Sequence, residues 1–432
     1  MNKFFCLLLL YFGLAKMVWA QDSGSYLSPE EAVRSAMENN FSAAISEKNT
    51  RIAQESYLRG RSVFMPNLSV AVNRNWTVTN SELSSNDGAI RTVDNGKGNA
   101  WNYGFNLNYT LFDGFGMFRS YDRLNYQFQA SRLYEKEVKT NLKAEVLQAY
   151  YSHTLQQQRL KVWESTLQLS QQRLRLANDR YELGKASKQE YLAAQVDYNA
   201  DKAAKLNQEE ARLNAQYLLN RLIGREPGAK LQTLDTLAVP ELDYPEGALN
   251  NNPTLVARKM EQQAANTLIE EQNAQLYPNL SFNLGYNFFD QTSPAGFFIF
   301  SNGNNLSYGL TASWTIFGGF HTRRSVQISR LQSELFNLNT QAVEQNLMQA
   351  EANALAAYNT SLERLNLEQQ SVALAKENTA LTLDRYKEGI ITSLELRIAQ
   401  QNEQQARLRL LNAIYDIKSA QIELQRIRGE IL

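Results

Sequence analysis

Cysteine is almost absent from this chain of 432 residues. Its one cysteine, Cys6, lies in an N-terminal segment that has the pattern of a secretory signal peptide. Lys3 supplies the positive charge, residues 4–14 form the apolar stretch, and Ala20 is the small residue at the expected cleavage site. Removing the predicted signal peptide, residues 1–20, leaves no thiol, which excludes disulfide bonds and cysteine chemistry from the mature protein.

Long apolar runs, basic patches and clusters of metal-ligating residues are also missing from the sequence. After the predicted signal peptide, no apolar stretch approaches the ~20 residues that a membrane-spanning helix needs. The formal net charge is zero, and the sequence has no basic patch of the kind that binds nucleic acid. The only histidines, His153 and His321, are far apart in sequence, whereas metal ligands come in clusters. We therefore predict no catalytic residues, no metal site, no cofactor and no bound nucleic acid.

Glycine and proline, the strongest breakers of regular structure, are absent from four long segments that are rich in Leu, Gln, Ala, Glu and Arg. Such a composition favours helices. The first segment, residues 117–183, would measure roughly 100 Å as a helix, far beyond the usual length in a globular domain. The sequence predicts long helices over residues 117–181 and 320–386, and returning helices over residues 186–222 and 392–428.

Apolar side chains recur at alternating steps of three and four along both long helices. This spacing is typical of the seam of a coiled coil, which is narrower than the buried face of a globular helix. Each long helix is therefore expected to form an antiparallel coiled hairpin with its returning helix. The seam residues are Leu160, Trp163, Leu167, Ser170, Leu174, Ala177 and Tyr181 in the first long helix, and Leu331, Leu335, Leu338 and Ala342 in the second.

Between the helices the period of the pattern changes to two. Every second residue of 101–111 and of 306–316 is apolar or aromatic, and those between are small or polar. Shorter segments of the same alternation precede each of these two. Together the segments predict four strands at about 67–79, 100–112, 279–289 and 305–316. Alternating, aromatic-rich segments of about ten residues are typical of transmembrane β-barrels, and a soluble sandwich with one dry face is the alternative. The aromatic residues expected at the membrane boundary are Trp101, Tyr103, Tyr109, Tyr286, Tyr308 and Trp314.

Four strands are too few to close a barrel, since the smallest natural barrels use about eight. An open edge within lipid would leave backbone groups without hydrogen bonds, at a cost of several kcal/mol each. If these strands lie in a membrane, several chains must therefore share one barrel.

The chain contains the same unit twice. The motif Arg-Tyr-x-x-Gly at residues 180–184 returns 205 residues later at residues 385–389, and the match runs without a gap over residues 103–224 of the first copy. A repeated half-chain indicates one structural unit used twice around an approximate symmetry axis. We predict a first structural repeat over residues 21–226, a linker over residues 227–252 and a second repeat over residues 253–432.

The signal sequence, the two copies of strand–strand–long helix–turn–helix and the duplicated Arg-Tyr-x-x-Gly turn resemble the TolC family of outer-membrane efflux proteins. The resemblance covers essentially the whole mature chain. It implies an α+β membrane protein in which three chains contribute four strands each to a twelve-stranded barrel. A coiled-coil tunnel of helices then continues the barrel through the periplasm, with residues 227–252 in an equatorial belt.

The resemblance also implies a passive exit duct in the outer membrane of a Gram-negative cell, not an enzyme. Its expected partners are two further copies of the chain, a periplasmic adaptor, an inner-membrane pump of the RND or ABC class, and outer-membrane lipid. Small molecules are the expected cargo. Two alternatives stay open: an outlet of the same family for secreted proteins, and a soluble periplasmic scaffold with a long coiled hairpin.

A gate at the helical tips is a further implication of the resemblance. Glu190 and Glu395 match positions at which the family places acidic side chains around the pore mouth, and Tyr386 matches a latch tyrosine. Ile391 and Ile398 stand where the family's prototype has a cationic and an acidic residue, so we expect a partly apolar constriction there. Rings of carboxylates select for cations, and solvated glutamates at a tip are the alternative.

The two turns themselves are expected to contact the adaptor, through Gly184, Lys185, Gly389 and Ile390. Glycine is needed there for a backbone with positive φ, which is common at the C terminus of a helix. Asp384, just before the second turn, serves either the gate or solubility alone. Because the first turn is basic and the second is apolar, we expect the second turn to face the pore.

Overall fold

The computed structural model describes residues 26–84, 88–234, 248–293 and 299–429. The predicted signal peptide, residues 1–20, lies outside the described residues, and so do residues 235–247 of the predicted linker. Among the described residues, no helix is both long and apolar enough to cross a bilayer.

Seven α-helices and four β-strands follow one another in the described part of the chain. They form two similar units, each with two strands, a long helix and a returning helix. The helices are α1 (Pro29–Asn39), α2 (Phe41–Gly60), α3 (Gly116–Glu182), α4 (Lys188–Leu222), α5 (Pro253–Ala274), α6 (His321–Lys387) and α7 (Ser393–Arg428), and the strands are β1 (Asn67–Ser84), β2 (Ile90–Phe112), β3 (Asn279–Thr292) and β4 (Phe300–Ser313).

The two long helices correspond to each other in length and position. α3 and α6 each have 67 residues, and their first residues are 205 positions apart, as in the sequence repeat. Each helix is preceded by a phenylalanine in the left-handed region, Phe115 at φ 67° and Phe320 at φ 63°. Since bulky residues rarely adopt this conformation, the same sharp turn from the sheet into the helix is a constrained feature of both copies.

The returning helices begin one or two positions later than predicted, because a hydroxyl side chain caps each of them. Ser187 accepts a hydrogen bond from the backbone N–H of Glu190 at 3.2 Å, and Thr392 accepts one from the backbone N–H of Glu395 at 3.4 Å. A cap residue has extended backbone, so it lies outside the helix that it caps.

The four strands form one antiparallel sheet in the order β1-β2-β3-β4. β1 and β2 have 18 and 23 residues, whereas β3 and β4 have 14 each, so the additional residues of the first copy extend its hairpin. β1 and β4 are edges without a partner strand in the described chain. β4 ends at Ser313, whereas the prediction extended it to residue 316; Trp314 lies beyond it and donates its indole N–H to the carbonyl of Leu276 at 3.0 Å.

The two faces of the sheet differ in chemistry. On one face the rings of Tyr103 and Phe288 stack across β2 and β3 with centroids 5.2 Å apart. On the other face Asn283 accepts a hydrogen bond from Asn108 at 2.7 Å and donates one to Thr311 at 3.0 Å. One face is therefore aromatic and aliphatic, and the other carries neutral hydrogen-bonding groups, which is the division between the lipid side and the lumen side of a membrane barrel.

The helices pack pairwise, α3 on α4 and α6 on α7, and α3 also contacts α5 and α7. One buried apolar cluster lies near the middle of α3, where Val146 and Tyr150 pack with Leu219 of α4, with Ile223 directly after that helix, and with residues of α1. The Tyr150 hydroxyl also donates to the carbonyl of Leu27 at 2.8 Å. The segments before α1 and after α4 are thereby held against the middle of the first hairpin.

The predicted coiled-coil seams are partly wrong for a single chain. Near its tip, α3 buries Thr166, Ser170, Arg173 and Ala177. Only Ser170 and Ala177 of these belong to the predicted seam. On α6 the predicted row of Leu331, Leu335 and Leu338 is more than half exposed. The spacing alone does not distinguish a seam within one chain from a seam between chains.

Candidate functional site

The two helical turns lie at the end of the molecule far from the sheet, about 100 Å away by the length of α3 and α6. Gly184 and Gly389 have φ values of 72° and 76°, in the left-handed region that glycine adopts without strain. In both turns the N–H of the following residue donates to the carbonyl five positions back, at 2.7 and 3.0 Å. This Schellman-type closure gives the two copies the same backbone.

A buried tyrosine joins the two tips. Tyr386 of α6 is fully buried, and its hydroxyl donates to a carboxylate oxygen of Glu190 of α4 at 3.0 Å. The guanidinium of Arg180 of α3 lies 5.1 Å from the Tyr386 ring centroid and donates to its backbone carbonyl at 3.3 Å. Burial and the neighbouring Glu190 raise the pKa of Tyr386, so its hydroxyl stays protonated and remains a donor.

The structure places Ile391 in the interior of the chain, which corrects the expectation of an apolar constriction around it. Ile391 is only 9% exposed and packs with Tyr386 and Leu396. Ile391 therefore packs against the buried Tyr386 of its own chain. Ile398, one turn into α7, is 49% exposed and is the isoleucine of the predicted pair that is free to face a pore.

The two glutamates at equivalent positions of the repeat make different contacts. Glu190 turns away from its own cap and accepts the Tyr386 hydrogen bond. Glu395 turns back on its own cap, where its carboxylate accepts from the hydroxyl of Thr392 at 3.1 Å and from the Thr392 N–H at 3.4 Å. Glu190 is half-buried and Glu395 is exposed. The first glutamate therefore joins the hairpins, and the second is available to solvent.

The remaining predicted tip residues lie on the surface. Asp384 is exposed and pairs with Lys387 at 2.9 Å within the last turn of α6, so it takes no part in the contact between the hairpins. Gly184 and Lys185 are exposed, and Ile390 is 66% exposed at the second turn. Both turns therefore offer free surface, but their role in docking stays a prediction.

Above the tips, a buried ionic cluster joins three helices. Arg173 of α3 is fully buried and donates to Asp197 of α4 at 2.6 Å and to Gln400 of α7 at 3.5 Å. Arg397 of α7 donates two hydrogen bonds to the carboxylate of Asp201 of α4, at 2.7 and 2.9 Å. Its guanidinium also lies 3.8 Å from the carboxylate of Asp197. We call Arg173, Asp197, Asp201 and Arg397 the ionic cluster; it contains two cations and two anions.

Burial makes this cluster sensitive to the loss of any member. Desolvation lowers the pKa of Arg173, and the carboxylate of Asp197 opposes that shift. Taking charges out of water is costly, and the cost is offset only while the partners stay in place. The cluster therefore links α7 to α3 and α4 through buried charges.

Sequence reasoning missed the ionic cluster because its charges pair over long distances in the chain; Asp201 and Arg397 are 196 residues apart. One signal was present in the repeat. At an offset of 205 positions, each of the four charges is replaced by an uncharged residue. The replacements are Asn378 for Arg173, Asn402 for Asp197, Ala406 for Asp201 and Leu192 for Arg397.

The two histidines are not brought together. His153 is buried in the middle of α3, with its Nδ1 3.2 Å from the hydroxyl of Thr233. Burial, with a smaller effect of Arg212, lowers the pKa of His153 to about 4, so it is neutral at physiological pH. His321 begins α6, near the sheet. Among the described residues, no group of three metal-ligating side chains is found.

Five of the six predicted boundary aromatics share the apolar face of the sheet. The pairing register places Tyr103 opposite Phe288, Tyr109 opposite Phe282 and Tyr286 opposite Phe105. Trp101 and Tyr308 lie on the same face by alternation. Trp314 is the exception, because it lies beyond β4.

Comparison with known proteins gives one family. The model of the outer membrane efflux protein family matches residues 32–225 and 244–430. No curated protein sequence matches the chain significantly.

Solved structures share the fold at low sequence identity. CusC superposes with a TM-score of 0.81 at 18% identity, covering 93% of this chain and 92% of CusC. The Campylobacter jejuni outer membrane channel CmeC gives 0.81 at 15% identity, covering 100% and 94%. The Vibrio cholerae outer membrane protein VceC gives 0.80 at 15% identity, covering 93% and 96%. With the family model matched over most of its length, this chain belongs to the outer membrane efflux protein family.

Proposed function

We propose that this chain is the exit duct of a tripartite efflux system, with its sheet in the outer membrane and its helices in the periplasm. The observation that carries the proposal is the sheet with one apolar and one polar face and two open edges. In lipid, each unpaired backbone group at an edge costs several kcal/mol. Three copies of four strands close a twelve-stranded barrel and remove every edge.

The helices support the same assembly. The exposed leucine row of α6, Leu331, Leu335 and Leu338, has coiled-coil spacing, and a neighbouring copy would cover it. About 100 Å of helix then extends the barrel as a tunnel toward the inner membrane. The neighbours CusC, CmeC and VceC are membrane channels or outer membrane proteins, and the proposed role of this chain is conduction rather than catalysis.

The tips are the proposed gate and docking surface. In the closed state, the contact of Tyr386 with Glu190 and the ionic cluster hold the second hairpin against the first. An adaptor that binds the exposed turns at Gly184 and Gly389 opens the duct by favouring the separated hairpins, a two-state change. Glu395 from three copies forms a ring of exposed carboxylates at the mouth, which favours cations.

The cargo is proposed to be small molecules supplied by an RND or ABC pump. An outlet for secreted proteins remains the second possibility, because the pump selects the cargo, and the genes beside this one would distinguish the two. The alternative of a soluble periplasmic scaffold has no use for the apolar face of the sheet.

The assembly is tested by extraction and electrophoresis. The protein should leave the membrane only with detergent, have the mass of three chains in detergent, and change its migration on heating. A chain that is extracted by salt alone and sediments as a monomer without detergent would contradict the proposal.

A further inference from the structure

A cation sits on the apolar face of the sheet, where charge is unexpected. The guanidinium of Arg74 in β1 contacts two indoles; it lies 4.6 Å from the ring centroid of Trp76 and 4.8 Å from that of Trp101 in β2. Arg74 and Trp101 are directly paired in the register. Among the described residues, Arg74 makes these ring contacts but neither an ion pair nor a hydrogen bond. Its five N–H donors thus have no protein acceptor.

The position of Arg74 marks the far edge of the apolar band. The rows of this face nearer to the helices are uncharged, and one of them contains Leu68, Leu107, Leu284 and Tyr308. Charge first appears roughly 23 Å along β1, in the row that contains Arg74 and Asp290, a distance comparable to the ~25 Å apolar band of outer-membrane barrels. Because the helices mark the periplasmic end, this row lies at the extracellular boundary of the membrane.

A second cation lies on the same face beyond Arg74. Lys97 of β2 pairs with Val78, four residues beyond Arg74, and its side chain is exposed. The two cations are about 13 Å apart along the strands. Asp290 is the one anion in the row of Arg74, and Trp101 separates the two, since Trp101 pairs with both. The cationic side of the patch is therefore the side of β1 and β2, and the anion lies on the side of β3.

We propose that Arg74, Trp76, Trp101 and Lys97 bind the phosphate of a glycolipid in the outer leaflet of the outer membrane. The planar guanidinium fork matches phosphate oxygens, and the indoles that stack on it shield it from water and strengthen that interaction. Tryptophan also prefers the boundary between hydrocarbon and headgroups. This inference rests on the proposed membrane position of the sheet.

The second repeat provides an internal comparison. At the offset of 212 positions that aligns the first strands, Tyr286 replaces Arg74 and Phe288 replaces Trp76. Tyr286 and Phe288 pack edge to face with centroids 4.9 Å apart, without a cation between them. Of the two repeats, only the first has the site, and its strand β1 borders the neighbouring chain in the proposed barrel.

The test is lipid binding by the full-length protein in phosphatidylcholine nanodiscs, measured by native mass spectrometry as diphosphoryl lipid A is titrated. Arg74→Gln should weaken binding about tenfold, since it removes a charge-assisted bidentate contact, and Lys97→Gln should weaken it less. Arg323→Gln, which removes a cation stacked on Phe320 at the other end of the barrel, is the matched control and should bind as the wild type does. Asp290→Asn should bind as tightly or more tightly.

Two results would overturn the proposal: unchanged binding by Arg74→Gln, or equal binding of lipid A whose phosphates have been removed. Displacement of lipid A by millimolar inorganic phosphate would also contradict it, because the site would then be a general anion site. Heat-dependent migration of each variant shows whether it assembles, and Arg74→Lys, which keeps the charge, should recover part of the affinity. If the wild type itself does not assemble in membranes, the proposed function fails, which is a separate outcome.

Discussion

The first and second helical tips share a backbone but not a set of contacts. Both turn through a glycine with φ above 70°, and both present a tyrosine and a glutamate at equivalent positions. Tyr386 is buried and bonded across to Glu190, whereas its counterpart Tyr181 stacks on Tyr191 at the surface. The comparison shows that the repeat conserves a turn, while the differences between copies create the contact that joins them.

Of the contacts that distinguish the two repeats, the ionic cluster should cause the largest loss of stability when one of its members is removed. Arg397→Ala leaves Asp201 buried without its partner, which typically costs about 3–5 kcal/mol. We expect faster hydrogen exchange and proteolysis near the tip of α7. The control is Arg409→Ala, which removes a more exposed pair of the same helix with Glu368 and should cost about 1 kcal/mol or less. Equal protection at the tip in both variants would show that the cluster does not hold α7.

Tyr386→Phe tests the contact between the tips. The variant removes one buried hydrogen bond and leaves Glu190 without its donor, an effect of about 1–3 kcal/mol on the closed arrangement. Planar-bilayer recordings should show a higher open probability. Tyr181→Phe is the matched control, since its hydroxyl is at the equivalent position of the other copy, and it should behave as the wild type does. A similar response of both variants would mean that the copies are equivalent at the gate.

Gly389→Val tests the feature that the two tips share. A β-branched residue at positive φ is strained by about 1–2 kcal/mol, so the second turn should change shape while the distant barrel assembles normally. We expect efflux to be lost with assembly intact, and Gly184→Val to do the same if both turns bind the adaptor. Normal drug resistance in cells that carry Gly389→Val would refute the docking role of the second turn.

The smallest effect is expected for the exposed carboxylate. Glu395→Gln should leave the closed state unchanged, because among the described residues the Glu395 side chain is hydrogen-bonded only to its own helix cap. It should, however, weaken block by divalent cations. Glu190→Gln should instead destabilise the closed state, because it weakens the contact with Tyr386, and should leave block by divalent cations unchanged. If Glu395→Gln leaves both conductance and divalent block unaltered, the proposed carboxylate ring is wrong.

The sequence predicts the elements well where local rules decide them. Breakers and periodicity identify four long helices and four strands. The late start of the returning helices has a local cause, such as the Ser187 cap, whereas β2 begins at Ile90, ten residues before its predicted start. Burial is predicted less well. Ile391 follows a turn that is expected at a pore, yet it is inside, because its environment depends on Tyr386 and Leu396 of the packed hairpin.

The contacts between side chains that are far apart in the chain could not be predicted from the sequence. Arg173 occupies a helix face that otherwise carries the small residues Thr166, Ser170 and Ala177. Nothing nearby in the chain indicates Asp197 or Gln400 as its partners. The leucine row of α6 shows the same limit, since it has coiled-coil spacing yet is exposed in the single chain. Periodicity shows that a face is buried somewhere, and the three-dimensional packing shows where.

The most direct test of the gate is the single-channel conductance of the Tyr386→Phe, Arg397→Ala double variant in planar bilayers. The hydrogen bond from Tyr386 to Glu190 and the ion pair of Arg397 with Asp201 are then both removed, while the barrel is untouched. The wild type should rest in a state of low conductance, and the double variant should show stepwise openings that are several times larger and last longer. Identical conductance and open probability in the two proteins, both assembled, would contradict a duct that is closed by contacts between its two unlike tips.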